Sequence, residues 1–215
     1  MQPAPQSDLA FRAVMAACSP AVRWWGQLTV SGLDDLPTAG PVLLAGNHDS
    51  WWDPIVVGAA ALERRHVRAL AKSSLWRYGV MAWILDGMGQ IPIDRSGGDA
   101  RALDRAMFEL RAGACVGVFL EGTRSGGRTL RARSGLGRIA EAVPEAQIVC
   151  CTVEETVDLV RFPVRPRLRV RFFRPSLGGL AAGETATELT SRLLSEIRAA
   201  APPVPYGRRA ARHQA

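Results

Sequence analysis

The chain has 215 residues, of which 47% are hydrophobic and 22% are charged, with 27 Lys and Arg against 20 Asp and Glu. This length and composition suit one domain with a sizeable core, and they exclude a mainly disordered chain. The formal net charge of +7 favours an anionic partner: a nucleic acid, a lipid headgroup surface or a phosphorylated small molecule.

The cysteine pattern indicates a reducing compartment, and the hydropathy pattern indicates that no segment spans a membrane. The four cysteines form no CxxC pair and have no zinc-like spacing with the three histidines, so we expect reduced, mostly buried thiols. The N-terminus lacks the basic start and cleavage site of a signal peptide. No charge-free run reaches the roughly 18 apolar residues that a spanning helix needs, so we expect a protein that does not cross the bilayer.

Three parts are predicted along the chain: residues 1–26, a domain at 27–200, and a basic, disordered tail at 201–215. In the first part, a short lead precedes apolar residues at helical spacing, and the segment ends in Trp24 and Trp25. A short amphipathic segment of this kind can lie in a membrane interface or pack as a helix on the domain. The sequence leaves both alternatives open.

Strand and helix patterns alternate through the domain. This alternation predicts an α/β fold in one domain, with a mostly parallel twisted sheet flanked by helices. The predicted strands are 27–30, 41–45, 67–71, 89–93, 115–120, 147–153 and 167–173, and the predicted helices are 54–62, 74–85, 99–111, 136–142 and 183–200.

A histidine and an aspartate follow the second predicted strand. His48 and Asp53 are five residues apart, which on a regular helix separates them by about 140°. We therefore expect His48 on a strand-to-helix turn, with Asp53 as the helix N-cap and Pro54 at the first helical position. The chain can then fold back so that the carboxylate meets the imidazole. A histidine oriented in this way is a suitable general base for a hydroxyl group.

Two more strand ends carry charged residues. Arg95 follows one predicted strand, and Glu121 and Arg124 follow the most apolar strand of the chain. Ligands of open parallel sheets gather outside the carboxyl ends of the strands, so these residues and His48 are expected to face one crevice. Glycines at 122, 126 and 127 allow backbone amides to approach a phosphate closely.

Together these segments resemble the glycerolipid (lysophospholipid) acyltransferase family. Asn47-His48-x-Ser50-x-x-Asp53 is similar to its H-x4-D motif, residues 91–95 to its second motif, and residues 119–125 to its third. Lys72 stands where the family commonly has a lysine before the second motif. The chain departs from the family at Leu120, where a proline is usual, and matches the fourth motif only loosely at 148–153.

The resemblance implies a 1-acylglycerol-3-phosphate acyltransferase or a close relative, with acyl-CoA or acyl-carrier protein as donor and a lysophospholipid as acceptor. It implies that His48 is the base and Asp53 its orienting partner. The implied substrate-binding residues are Asn47, Ser50, Lys72, Arg95, Glu121, Gly122, Thr123 and Arg124. Neither a metal nor another cofactor is expected, and neither is a nucleic-acid partner. The lipid chemistry implies peripheral attachment to the cytoplasmic face of a membrane.

Three alternatives stand beside this function. The acceptor can be another lyso-lipid, such as a lyso-ornithine lipid. A nucleophilic hydrolase would need an activated serine or cysteine, and the G-x-S-x-G elbow is absent. A basic membrane-surface module would use one arginine-rich strand face, although Pro163 and Pro166 there predict an edge strand whose charges block edge pairing. The alternating arginines are Arg165, Arg167, Arg169 and Arg171.

Overall fold

The computed structural model describes residues 8–94 and 99–204, and in these ranges the strands form one sheet. Most of the strands are themselves continuous apolar runs, which suit a sheet that is covered on both faces. The strands are β1 (Thr29–Ser31), β2 (Val42–Gly46), β3 (Val67–Lys72), β4 (Ile91–Ile93), β5 (Cys115–Phe119), β6 (Gln147–Glu154) and β7 (Arg169–Phe173).

The sheet has the order β1-β7-β6-β2-β5-β3-β4. Its centre is β2, which pairs in parallel with β5 on one side and with β6 on the other. β3 and β4 extend the parallel part beyond β5. β7 is antiparallel to β6, and β1 pairs with β7 in parallel. The predicted mostly parallel α/β fold is therefore confirmed, and the carboxyl ends of five strands lie along one edge.

Helices cover both faces of the sheet. Alternate residues of β2 separate the two cores: Val42 and Leu44 belong to the core under α1, α2 and α3, and Leu43 and Ala45 to the core under α4, α5 and α6. Both sets of side chains are buried. The helices are α1 (Asp8–Ser19), α2 (Asp53–Ala61), α3 (Gly79–Gly87), α4 (Ala100–Arg111), α5 (Gly135–Ala142) and α6 (Ala186–Ala200).

The N-terminal segment packs on the domain. Phe11 and Met15 of α1 are buried in the first core. The sulfur of Met15 would lie only 2.9 Å from a Cβ at Gly58, so the close approach of α1 to α2 needs a glycine there. A π-helical turn, Pro20–Trp25, follows α1 and leaves Trp24 71% exposed. Helix α1 therefore packs on the domain, which is one of the two alternatives that the sequence left open. Trp24, at the end of the segment, remains exposed.

Two predicted elements differ from the structure. The single helix predicted at 74–85 is instead a 3-10 turn, Ser73–Arg77, and α3, because Tyr78 between them is extended and glycine starts the second helix. The prediction that the arginine-rich strand lies at an edge is wrong, because β1 pairs with β7 and occupies that edge. The two prolines that suggested an edge precede β7 and therefore remove no bond from its ladder.

Parts of the predictions fall outside the described residues: the lead at 1–7, the tail beyond residue 204, and Arg95. No helix within 8–94 and 99–204 combines the length and the apolar composition needed to span a bilayer.

Candidate active site

The candidate site lies at the carboxyl ends of three adjacent strands. His48 follows β2, Glu121 follows β5, and Thr156 follows β6. The loops are joined by backbone bonds: the Leu120 amide donates to the Gly46 carbonyl at 3.1 Å, and the Ser125 amide donates to the His48 carbonyl at 2.7 Å. A proline at position 120, which the family resemblance would lead one to expect, could not donate the first of these bonds.

His48 and Asp53 form the predicted pair. The Nδ1 atom of His48 is 2.8 Å from Oδ2 of Asp53, and both side chains are almost fully buried. The imidazole also stacks on Phe119, with ring centres 4.5 Å apart. In the described part of the chain no side chain bonds to Nε2 of His48. The pair thus fixes the ring through Nδ1 and leaves Nε2 available to a reacting hydroxyl.

Within the described residues, the Asp53 carboxylate accepts hydrogen bonds from four groups. Besides His48, its Oδ2 accepts from the backbone amides of Asp49 at 2.6 Å and Ser50 at 2.8 Å, and its Oδ1 accepts from the Thr156 hydroxyl. The prediction that Asp53 is the N-cap is wrong. Trp52 is the cap residue, and Asp53 is the first residue of α2 with its carboxylate turned back toward the preceding turn. A capping carboxylate would accept from amides in the first turn of the helix. The Asp53 carboxylate instead accepts from the amides of Asp49 and Ser50, which precede it in the chain.

Two of the predicted substrate-binding residues hold the turn itself. Asn47 is fully buried, and its side-chain amide exchanges two bonds with the backbone of Val153, at 2.8 and 2.9 Å. The Ser50 hydroxyl donates to the Thr156 carbonyl at 3.1 Å. Both side chains thus connect the turn after β2 to β6 and to the turn that follows it.

Glu121 is also bonded within the protein. Its Oε2 accepts from the His48 backbone amide at 3.1 Å, and both its oxygens accept from Arg198 of α6. Arg198 also forms a two-pronged bond with Asp49. The Glu121 side chain is only 1% exposed. Its carboxylate therefore lies beneath the turn that carries His48.

The glycine-rich loop after Glu121 borders the site. Gly122 has φ +67°, and a Cβ there would lie 3.0 Å from Arg133, so this position favours glycine. Thr123 is exposed and Arg124 is half-buried. The guanidinium carbon of Arg124 lies 4.1 Å from the centre of the Trp51 ring.

Of the other two predicted cations, only Lys72 lies within the described residues. Lys72 is exposed at the end of β3, which is separated from β2 by β5, a distance of about 10 Å at the usual strand spacing. Arg95 follows β4 and lies outside the described residues, so its position relative to His48 stays a prediction.

Sequence reasoning missed Thr156 and Arg198. Thr156 had a usable signal, since it is a polar residue directly after a buried strand beside β2. Arg198 had none, because it is one of many arginines and lies in a helix far along the chain.

The described nucleophilic side chains do not form a pair with His48. The hydroxyls of Ser50 and Ser125 donate elsewhere, to Thr156 and Asp49 respectively. Burial raises the pKa of the Cys115 and Cys150 thiols to about 12. A hydrolase with a serine or cysteine nucleophile therefore has no support from this geometry. In the same ranges, no group of three or more metal-binding side chains is placed to hold an ion.

Comparison with known proteins identifies the family. The family model described as Acyltransferase matches residues 27–154. The chain is 29% identical over 120 residues to the lyso-ornithine lipid O-acyltransferase of Pseudomonas aeruginosa, covering 53% of this chain and 45% of that protein. It is 31% identical over 123 residues to a 1-acyl-sn-glycerol-3-phosphate acyltransferase of Borreliella burgdorferi, covering 55% and 48%.

One solved structure shares the fold. The 1-acyl-sn-glycerophosphate (LPA) acyltransferase PlsC of Thermotoga maritima superposes with a TM-score of 0.69 at 19% identity, covering 88% of this chain and 77% of that one. The chain spans less than half the length of the curated relatives named above. The match to the family model covers more than half of the chain and includes all the loops of the site except the turn after β6. The chain belongs to the acyltransferase family.

Proposed function

We propose that this protein transfers a fatty acyl chain from a thioester donor, acyl-CoA or acyl-carrier protein, to the hydroxyl of a lysophospholipid. The first acceptor to test is 1-acylglycerol-3-phosphate, which would give phosphatidic acid. The observation that carries the proposal is the His48–Asp53 pair, held at the ends of parallel strands in a member of an acyltransferase family.

The reaction follows from the orientation of His48. Its Nε2 takes the proton of the acceptor hydroxyl while that oxygen attacks the thioester carbonyl. A tetrahedral intermediate forms and then collapses with release of the thiol, which takes up the proton from His48. Asp53 stabilises the imidazolium that exists in between. The backbone amide of Thr123 or Gly126, or the Arg124 guanidinium, stabilises the oxyanion.

The phosphate of the acceptor would be bound by cations that border the site. Arg124 is the first candidate, since the backbone of its loop bonds directly to the His48 turn. Guanidinium groups bind phosphate through paired hydrogen bonds, which fix position as well as charge. Lys72, Arg95 and the Thr123 amide are further candidates, whereas the Gly122 amide already donates to the Phe119 carbonyl at 3.0 Å. Asn47, Ser50 and Glu121 would act indirectly, by holding the turn.

A lyso-ornithine lipid is the second acceptor to consider. The observation that favours it is the similarity to the Pseudomonas aeruginosa protein, which matches over about the same length as the 1-acyl-sn-glycerol-3-phosphate acyltransferase of Borreliella burgdorferi. Such an acceptor has an amino-acid headgroup in place of the phosphate. Its binding would depend less on Arg124 than the binding of 1-acylglycerol-3-phosphate.

Attachment to a membrane is part of the proposal. One exposed surface combines aromatic, aliphatic and basic side chains: Trp24, Val160, Phe162, Val164 and Arg165. Phe162 is 83% exposed, and its ring stacks on that of Trp25. The Arg165 guanidinium lies over the Trp24 ring. This Trp24–Phe162 surface includes residues of the segment that follows β6. That segment leaves the sheet at the same edge as the turn that carries His48. Exposed aromatics with arginines suit an anionic membrane interface, and in a lipid enzyme that interface would be the cytoplasmic leaflet.

Thiol release tests the proposed reaction. Purified protein is incubated with long-chain acyl-CoA, with and without 1-acylglycerol-3-phosphate or lyso-ornithine lipid, and the lipid product is identified by mass spectrometry. Release that depends on one acceptor, with the matching acylated product, supports the proposal and names the acceptor. Release without an acceptor would identify a thioesterase instead. If no thiol is released, acyl-carrier protein replaces CoA as donor, and inactivity with both donors contradicts the proposal.

Vesicle flotation tests the attachment separately. We expect the protein to float with vesicles that contain phosphatidylglycerol and less with pure phosphatidylcholine. Phe162→Asp should weaken flotation, whereas Phe108→Asp, at an exposed phenylalanine on α4, should not. Equal flotation of both variants would exclude the Trp24–Phe162 surface as the attachment site.

A further inference from the structure

Arg198 is a buried arginine at the end of α6, outside the region that the family model covers. Its side chain is 10% exposed. The guanidinium donates to both oxygens of Asp49, at 2.9 Å each, and to both oxygens of Glu121, at 2.6 to 3.1 Å. It also donates to the Ala201 carbonyl at 3.2 Å. Such paired bonds fix both carboxylates in position.

The two carboxylates share the Arg198 guanidinium and are both tied to the turn that carries His48. Asp49 directly follows His48 in the chain, and the Asp49 carboxylate also accepts from Asn47 and from the Ser125 hydroxyl. Glu121 accepts from the backbone amide of His48 itself. Both carboxylates thus bond the turn after β2 to the loop after β5, and Arg198 forms an ion pair with each of them.

We infer that Arg198 is a positioning residue: the last turn of α6 holds the His48 turn and the Glu121 loop together so that the imidazole faces the acceptor. Arg198 acts through Asp49 and Glu121 and need not touch the substrate. The inference rests on the proposed function for its kinetic consequence. It makes a C-terminal helix beyond the matched region an integral part of the site.

The charge balance explains why an arginine is needed. Without Arg198, the buried carboxylates of Asp49 and Glu121 would both lose the guanidinium that bonds to them, and breaking a buried ion pair is strongly unfavourable. The turn would relax so that water could reach Asp49 and Glu121, and His48 would move with it because its amide is bonded to Glu121. A lysine could neutralise the charge but could not form both two-pronged bonds.

The experiment compares Arg198→Met with Arg192→Met. Arg192 is a matched control: it lies in the same helix, is 17% exposed, and forms ion pairs with Glu184 and Glu196 away from the site. We expect Arg198→Met to lower kcat about 100-fold with little change in acceptor KM, since a misplaced catalytic group costs about this much. Arg192→Met should keep kcat within about threefold of wild type, because distant sites act independently. Arg198→Lys should recover part of kcat.

Equal kcat values for folded Arg198→Met and Arg192→Met would overturn the inference. If Arg198→Met does not fold, Asp49→Asn replaces it, since this variant keeps the shape and removes only the charge that Arg198 binds. In that case a kcat equal to that of wild type overturns the inference.

A measurement without substrate separates this inference from the proposed function. The proton on Nδ1 of His48, shared with Asp53, is followed by NMR in wild type and both arginine variants. We expect the signal in wild type and Arg192→Met, and its loss by exchange with water in Arg198→Met or Asp49→Asn. This result would support the positioning role even if no lysolipid were acylated. A protected proton in the Arg198 and Asp49 variants would refute it.

Discussion

Arg124 stacks on Trp51, with 4.1 Å between the guanidinium carbon and the ring centre. The contact joins the turn after β2 to the glycine-rich loop, and both side chains border the site. A cation over an exposed indole ring is worth about 0.5–1 kcal/mol, which is two- to fivefold in binding. The ring also limits the orientations in which Arg124 can meet a phosphate.

Trp51→Ala should therefore raise the acceptor KM about threefold and leave kcat nearly unchanged. Trp51→Phe, which keeps an aromatic face, should lie between wild type and Trp51→Ala. Arg124→Ala should raise KM further, because it removes the phosphate contact itself. Steady-state kinetics at varied acceptor concentration measure all three. An unchanged KM in Arg124→Ala would mean that Arg124 does not bind the acceptor.

Thr156 is expected to position Asp53. Its hydroxyl donates to Oδ1 of Asp53, and in the described part of the chain no other group does so. Thr156→Val keeps the shape but leaves a buried carboxylate oxygen without a donor, which should lower the free energy of unfolding by about 1–3 kcal/mol. We expect kcat to fall about tenfold, equivalent to about 1.4 kcal/mol.

Thr190→Val is the control for this prediction, because Thr190 is equally buried but lies on α6 and bonds to Ala186. Denaturant unfolding and turnover are measured on both variants. Comparable kcat values in the two would show that the Thr156 hydroxyl contributes stability alone.

The thiols of the sheet should be unreactive in the native protein. Burial raises the pKa of Cys115 and Cys150 to about 12 and that of Cys151 higher still, so almost no thiolate forms at pH 8. Cys18 is half-buried in α1. Iodoacetamide should therefore modify Cys18 first, with no loss of activity, and the other three only after unfolding in guanidinium. Mass spectrometry of peptides locates the label, and inactivation by early labelling of Cys150 or Cys151 would contradict this assignment.

Acid should weaken the protein partly through Glu184. The hydrogen bond from Arg192 lowers the pKa of Glu184 to about 2, against about 4.3 in an unfolded chain. Between these values the unfolded state binds more protons, so this contribution to stability is present above about pH 4.3 and is lost as the pH falls toward 2. The free energy of unfolding should drop less steeply over this range in Glu184→Gln than in wild type. Parallel curves from denaturant titrations would show that the Arg192 contact does not perturb Glu184.

The sequence predicted the parts of the fold that depend on local pattern. The continuous apolar runs of β2, β5 and β6 and the amphipathic pattern of α4 appear where they were expected. The contact between His48 and Asp53 was also predictable, because a turn at a strand end leaves few ways to place two side chains five residues apart.

The wrong or missing predictions concern residues whose position depends on a segment that is distant in the chain. The edge position of β7 depends on whether β1 pairs with it, which its own prolines do not reveal. Asp53 is not a cap because its carboxylate turns back to His48 and the amides of the preceding turn, and on its other oxygen to Thr156. The role of Arg198 depends on the docking of α6, and nothing in its local sequence distinguishes it from Arg192.

Acceptor-dependent thiol release by His48→Ala, measured beside His66→Ala, tests most directly whether His48 is the general base. His66 is the matched control, since its ring stacks on Phe11 and bonds to the Met88 carbonyl, away from the site. If His48 is the general base, His48→Ala should lose about 10²–10⁴ in kcat, and His66→Ala should turn over at nearly the wild-type rate. Turnover by His48→Ala at the rate of His66→Ala would contradict the proposed mechanism.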